Sequence, residues 1–261
     1  MFQRSRWVIA TALVASLGLP GLSPGATLNV PADYPTIQGC IDAAVSGVDE
    51  CVVGPGIYHE TINFLAKAIT LRSSGGADVT TIDAHGDRRE RGHVQQRRGG
   101  GTVLDGFTIT GGTGRYVGGM YNWHSSPTVT NCTFLGNSAR YGGGMYNLDS
   151  NPTVTNCAFL ANSAQYGGGM LNQSNSSSPT VTNCTFSGNT AGYGGGMYNL
   201  DSNPTVTNCV LWGNTPAQIA GDGSVSYSDA QGGFSGTGNI DLDPMFVRAP
   251  DPGPRPPDIP R

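Results

Sequence analysis

The sequence predicts an all-β chain, a right-handed parallel β-helix with a short N-terminal capping helix. Two repeats and the composition carry this reading. The string PTVTNC recurs at Pro127–Cys132, Pro152–Cys157, Pro179–Cys184 and Pro204–Cys209, in steps of 25, 27 and 25 residues. The string GGM ends at Met120, Met145, Met170 and Met197, in steps of 25, 25 and 27. Self-similarity at a fixed period marks a solenoid, in which each unit buries its apolar face only against its neighbours. Of the 261 residues 40 are Gly and only 12% are charged, with no Gly-X-Y period, which excludes collagen. Helical repeats would need Leu- and Ala-rich amphipathic runs where Gly, Thr and Asn stand here.

The elements follow in chain order. Arg4 and Arg6, the apolar run from Trp7 to Leu19 and the small residues through Ala26 have the layout of a secretory signal peptide over residues 1–26. Its apolar core is short for a bilayer span of ~20 residues, and no later segment is apolar enough to cross. The mature chain is therefore expected outside the cytoplasm. Residues 27–247 are read as one β-helix of eight to nine coils, by dividing the mature length by the repeat. An N-terminal cap spans 27–60, where Thr36–Val45, preceded by Pro35, reads as an amphipathic helix covering the open end of the stack.

His85–Arg98 does not fit, because it holds five of the thirteen arginines and two of the four histidines. It reads as a solvated loop, a basic site, or a slip of reading frame. The last is preferred: with free choice of codons, a one-base shift over 85–99 yields TATAGSVVMCNSGEG, a strand-like string. That reading predicts that the segment does not pack as a coil.

The repeats proper span 102–215. Within a unit, Val129, Cys132 and Phe134 are apolar and Thr128, Thr130 and Thr133 lie between them, which is strand alternation interrupted at Asn131. Asn tolerates the left-handed backbone of a corner. Stacking at ~4.8 Å places equivalent residues over one another. Phe134, Phe159, Phe186 and Leu211 form one interior ladder and the four Met another, while Asn137, Asn162, Asn189 and Asn214 stack at a second corner. The two extra residues of the third unit fall in Gln173–Ser178, a polar turn that bulges without disturbing the strands. A closing coil occupies 216–247, and the Pro-rich stretch 248–261 reads as a disordered tail.

Six cysteines in an exported chain invite disulfides. Cys40 and Cys51 flank the end of the cap and are paired in this reading. Cys132, Cys157, Cys184 and Cys209 form a column with parallel Cβ vectors, expected to stay as buried thiols. Stacked cysteines do not converge tetrahedrally, so no zinc site and no other cofactor is expected.

The stretches TLNVPADYPTIQGCIDAA, VVGPGIYHETI and AITLRSSGGADVTTID resemble the cap and first coils of bacterial right-handed β-helix proteins of the pectin lyase-like superfamily. GGGMYN followed by NCTF-x-GN resembles the repeats of chlamydial polymorphic outer-membrane proteins, with Met in place of the usual small and aliphatic pair. GNIDLDPMFV at Gly238–Val247 resembles the closing coil of such secreted helices. The resemblance implies the fold. It leaves activity open, because the superfamily holds lyases with acids for calcium and an Arg or Lys base, hydrolases with an Asp cluster, esterases with two Asp and an Arg, and non-enzymatic adhesins.

Against that inventory, Leu104–Ile240 carries Asp105, Asp149, Asp201, Asp222 and Asp229, with Arg115 and Arg140 as strong bases, and Lys67 is the sole lysine. Asp149 and Asp201 share a repeat position two coils apart, ~9.6 Å by the stacking distance, at the upper end of the ~6.5–9.5 Å carboxylate separation of inverting glycosidases. The plainer reading is turn chemistry, since Leu-Asp-Ser-Asn-Pro lets Asp bond its own backbone. With Met120 and its equivalents inward, Tyr121, Tyr146 and Tyr198 point outward in register, with Leu171 between them. Such a row would stack on sugar rings or anchor a partner, or pack on its own neighbours. A second set, Tyr116, Tyr141, Tyr166 and Tyr193, reads as corner packing.

A formal charge of −4 gives no footprint for nucleic acid. The leading expectation is an exported, non-enzymatic surface or extracellular protein, adhesive, glycan-binding or structural, with a polysaccharide or cell-surface partner. The alternative is a polysaccharide lyase or glycoside hydrolase.

Overall fold

The structure, a computed structural model, describes residues 25–84 and 94–246, without the side chains of 96–99. The signal-peptide run, most of the basic segment and the Pro-rich tail lie outside the described residues. The chain winds into an all-β parallel solenoid of about seven turns. One face is a sheet of eight parallel rungs, from Gly56–Tyr58 up to Asp229–Ala230. The expected eight to nine coils exceed the seven turns because helix, insertion and closing segment consume residues without completing turns.

Each repeat folds as its alternation dictates. Met145–Leu148 turns Met145 and Asn147 inward and Tyr146 away from the core. Thr153–Thr155 buries Val154 between two outward threonines, and Ala158–Leu160 buries Phe159. Ser163–Tyr166 closes the turn. The corner after the Val strand sits at Asn131, Asn156, Asn183 and Asn208, with φ of 52, 55, 55 and 54°. In the third unit Gln173–Ser177 bulges around Ser174, yet the strands on both sides keep register with their neighbours.

The interior is a set of vertical ladders. Phe134, Phe159 and Phe186 stack with centroids 4.7 and 4.6 Å apart and planes within 4°. Met120, Met145, Met170 and Met197 are paired rung to rung and fully buried. The second-corner asparagines satisfy one another: Asn162 Nδ2 donates to Phe134 O at 2.9 Å and Asn189 Oδ1 at 3.0 Å. Its own Oδ1 accepts from the backbone and side chain of Asn137 at 3.0 and 3.1 Å. Full pairing is what makes these buried amides tolerable in an apolar interior. A second buried Asn ladder runs beside the methionines, Asn122 to Asn147 to Asn172 to Asn199, each amide donating upward at 2.8 Å. The inward turn of Met120 implies it, since the residue two positions on faces the same way.

The glycine runs are dictated by close approach. Gly167 holds φ 64°, and a Cβ on Gly168 would lie 2.5 Å from Gly195 O of the next coil. At the bottom of the stack, helix α1 (Ile37–Ala43) covers the core with Ile37, Cys40 and Ile41. Thr36 caps its start, accepting from Gly39 N at 3.0 Å, and the Glu60 carboxylate accepts from Ile37 N and Gln38 N at 2.8 and 2.9 Å. Lys67 closes the other end, donating to the carbonyls of Ile41, Asp42 and Ala44 at 2.8, 2.7 and 2.9 Å. Cys40 and Cys51 are joined by a disulfide with Cα atoms 6.1 Å apart, tying the helix to the strand Glu50–Val53.

One expectation is corrected. Residues 94–99, placed in a segment that would not pack, belong to the strand Val94–Asp105, which pairs in parallel with Met120–Thr130. Val94 lies under Met120 and is fully buried. Residues 85–93 lie outside the described residues.

Candidate functional site

The corner that follows each Met strand gathers the polar chemistry. Its left-handed residue is His124, Asp149, Ser174 and Asp201 on successive coils, with φ of 49, 50, 98 and 52°. Asp149 and Asp201 therefore do share a column, and Ser174 of the bulged turn stands between them. Ser174 Oγ donates to Asp149 Oδ1, and His124 Nε2 lies 3.8 Å from Asp149 Oδ2. A Ser nucleophile needs the imidazole between itself and the carboxylate. Here the carboxylate sits between hydroxyl and imidazole, so the Ser proton points at Asp149 and no relay forms. Nor do Asp149 and Asp201 face each other across an open gap, because Ser174 engages the first.

Above this column the surface opens into a groove of about 540 Å³ lined by Asn175, Ser178, Asp201, Ser202, Asn203, Asp222 and Gly223. The bulged turn forms one wall and Ser224–Ser226 continues from the other. The lining is amide, hydroxyl and two carboxylates. Asp201 and Asp222 are both exposed, whereas a general acid of a glycosidase is kept protonated by burial or a close like charge.

The tyrosines are arranged differently from a free ligand-binding row. Tyr146 is only 8% exposed, because the second set folds back over the first. Tyr141 stacks on Tyr146 at 6.0 Å, and Tyr166 and Tyr193 lie 6.1 and 6.0 Å from Tyr198. The outer set is itself a column, with centroids 6.3, 5.5 and 5.4 Å apart and planes within 11°. Rings stacked along the axis offer one another their faces and leave edges to solvent, which is the wrong presentation for a sugar ring. Tyr121, Tyr146 and Tyr198 thus form a satellite apolar cluster with Val117 and Leu171. Burial, then the neighbouring Tyr121 and Tyr141 phenols, push the Tyr146 hydroxyl above its ordinary value, and it donates to Gln173 Oε1 at 2.5 Å.

A third cluster was not singled out from sequence. Arg72 donates to Glu50 from Nε at 3.1 Å and from a terminal nitrogen at 3.3 Å, and is the rung neighbour of Asp105. Thr27 and Arg72 hold the Glu50 carboxylate, and Asn131 Nδ2 donates to Asp105 Oδ1 at 2.7 Å. Its signal was readable: the outward positions of T-L-R and V-L-D carry charge where later coils carry Thr. The cluster departs from the esterase inventory that the resemblance implies, since Glu50 stands where a second Asp is needed and Arg72 is committed to it by two hydrogen bonds.

Comparison with known proteins agrees with this geometry. The family model described as right handed beta helix region matches residues 59–233. The chain belongs to this family. Among solved structures this β-helix is similar to a pectin methylesterase from carrot, with a TM-score of 0.53 at 14% identity, over 89% of this chain and 88% of that one. That likeness shows the fold. No curated protein matches the β-helix. Among its described residues no group of three or more His, Cys, Asp or Glu is placed to hold a metal ion, and no helix is long and apolar enough to cross a membrane.

Proposed function

We propose that the protein is an exported polysaccharide-binding β-helix that recognises its ligand in the groove at Asp201 and does not turn it over. The groove carries this reading. Planar amides and carboxylates at Asn175, Asp201, Asn203 and Asp222 line an open trough, and such groups pair with the vicinal hydroxyls of a sugar. The leader at residues 1–26 and the repeats resembling chlamydial surface proteins support an extracellular or cell-surface setting. Against turnover stand the committed Lys67, the Asp149 carboxylate placed between Ser174 and His124, and the exposure of Asp201 and Asp222. Two carboxylates repel a polyuronate, so the favoured ligand is a neutral or amino-sugar polymer.

The test is affinity electrophoresis of the full chain through neutral, cationic and pectic polysaccharides, with reducing-end release measured alongside. Retardation by a neutral or cationic glycan is expected, weakened about tenfold (~1.4 kcal/mol) by Asp201→Asn. Absence of retardation by every glycan overturns the reading. The carrot protein of similar fold is an enzyme, and a measured release of sugar ends that Asp201→Asn abolishes would replace the reading with a hydrolase.

A further inference from the structure

We propose that the face built by the TVT strands is an ice-binding surface, independent of the groove and of any sugar. Thr128 and Thr130, Thr153 and Thr155, Thr180 and Thr182, and Thr205 and Thr207 stand outward in pairs on four successive rungs, in strict register. Ser224 and Ser226 add a fifth rung above. Below, Val103 and Asp105 end the array. The result is two straight columns of hydroxyl-and-methyl groups with no charged side chain between the first Thr rung and the serines.

Three properties of this lattice point to ordered water. The first is spacing: rungs repeat at ~4.8 Å, and residues two apart on one strand are separated by ~6.6 Å. The rung repeat lies close to the shorter oxygen repeat on the prism face of hexagonal ice, and the spacing of the two columns falls somewhat short of the longer one. The second is availability. Thr207 shares its hydroxyl with Ser226 at 3.3 Å, and none of the other threonine hydroxyls is bonded to another described residue. They are free to anchor water while the methyls beside them exclude it, which favours a cage of fixed geometry over bulk disorder. The third is rigidity. Val129, Val154, Val181 and Val206 beneath the face are completely buried. Along its edge Asn131, Asn156, Asn183 and Asn208 are chained by side-chain hydrogen bonds of 3.3, 3.2 and 2.7 Å. Stacked side-chain ladders of this kind hold a sheet flat.

Other occupants fit poorly. A protein partner favours aromatic, Met and Arg anchors, of which this face has none. A polyanion requires Lys or Arg. A lattice of neutral hydroxyls matches a lattice of water.

The experiment is partition into a slowly growing ice shell of the purified full chain, beside an inert protein of similar size, with crystal shape recorded under a cold stage. The wild type is expected to concentrate in the ice several-fold over the inert protein and to facet single crystals. Thr155→Tyr lifts a ring above the plane at a central rung and is expected to reduce both effects to the inert level, with circular dichroism and melting unchanged. Leu135→Tyr, on the neighbouring Phe-strand face, should behave as wild type. Should Thr155→Tyr lose its fold, Thr182→Lys carries the same test, since from a half-buried outward position the long lysine stem still carries its ammonium into solvent. Exclusion of the wild type from ice overturns the proposal, as does wild-type partition by a folded Thr155→Tyr or Thr182→Lys. Sugar binding enters neither readout.

Discussion

At the scale of single residues, position within the coil decides what a side chain does. Asn serves three purposes here: left-handed corner at Asn156, buried amide rung at Asn162, and buried amide rung beside Met145 at Asn147. The same holds for the acids. Asp149 is a corner residue bonded to Ser174, while Glu50 is a partner for Arg72. The hydrogen bonds from Arg72, then from Thr27, hold the Glu50 carboxyl below its ordinary value. A depressed folded value means its stabilisation is present above the unfolded value, near ~4.3, and is lost as the pH falls through the folded value. The side chains are about a third exposed, at 39% and 32%, so solvent screens the pair and the contribution is below ~1 kcal/mol. Glu50→Gln is therefore expected to lower the melting temperature slightly at pH 7 and to leave it unchanged at pH 2. Calorimetry at the two pH values checks this, and an equal loss at both would remove the ion pair from the account.

At the scale of one coil, the glycine run is the element that fixes how closely neighbours approach. Gly167 takes a conformation that side chains resist, and Gly168 faces the Gly195 carbonyl so closely that no Cβ fits. That contact is with backbone, which has no rotamer by which to yield. Gly168→Ala must push adjacent coils apart and strain the bonds from Gly168 N to Gly194 O and from Gly143 N to Gly167 O. A loss of about 1–3 kcal/mol is expected, as for overpacking elsewhere. Urea denaturation reads it directly. Gly136→Ala makes the comparison: a Cβ there meets nothing within 4 Å but must take φ 64°, so it costs strain without a clash.

At the scale of the molecule, the stack behaves as a one-dimensional array in which each coil is stabilised by the two beside it. The cysteine column reports on that array. Cys132, Cys157, Cys184 and Cys209 are unpaired and buried, and each of the first three donates its backbone N–H to the next sulfur at 3.4–3.5 Å. Contact with neighbouring thiols raises Cys157 and Cys209 above the ordinary thiol value and lowers Cys184, so burial of all four is what protects the column. Reactivity needs an accessible thiolate. A thiol reagent at neutral pH is expected to find none of the four in the native chain and all four in denaturant. Rapid labelling of one or two in native buffer would show that the coils open locally.

The repeat made most of the fold legible in advance. PTVTNC and GGM in phase give period, strand alternation, corner and ladders, because a solenoid translates sequence identity into vertical contact. The alternation also contained the inner Asn122–Asn199 ladder, the Arg72 cluster and the Thr face as positions facing in or out. What sequence alone left open was everything set between strands that are not neighbours in the stack. Whether Tyr146 faces water depended on Tyr141 folding back over it. Whether Asp149 and Asp201 made a pair depended on which residue of the Gln173–Ser178 turn landed between them. Even the groove exists only because that turn bulges beside the last coils. Periodicity determines which side of a strand a residue occupies; only the packing of one face or loop against another decides what it meets there.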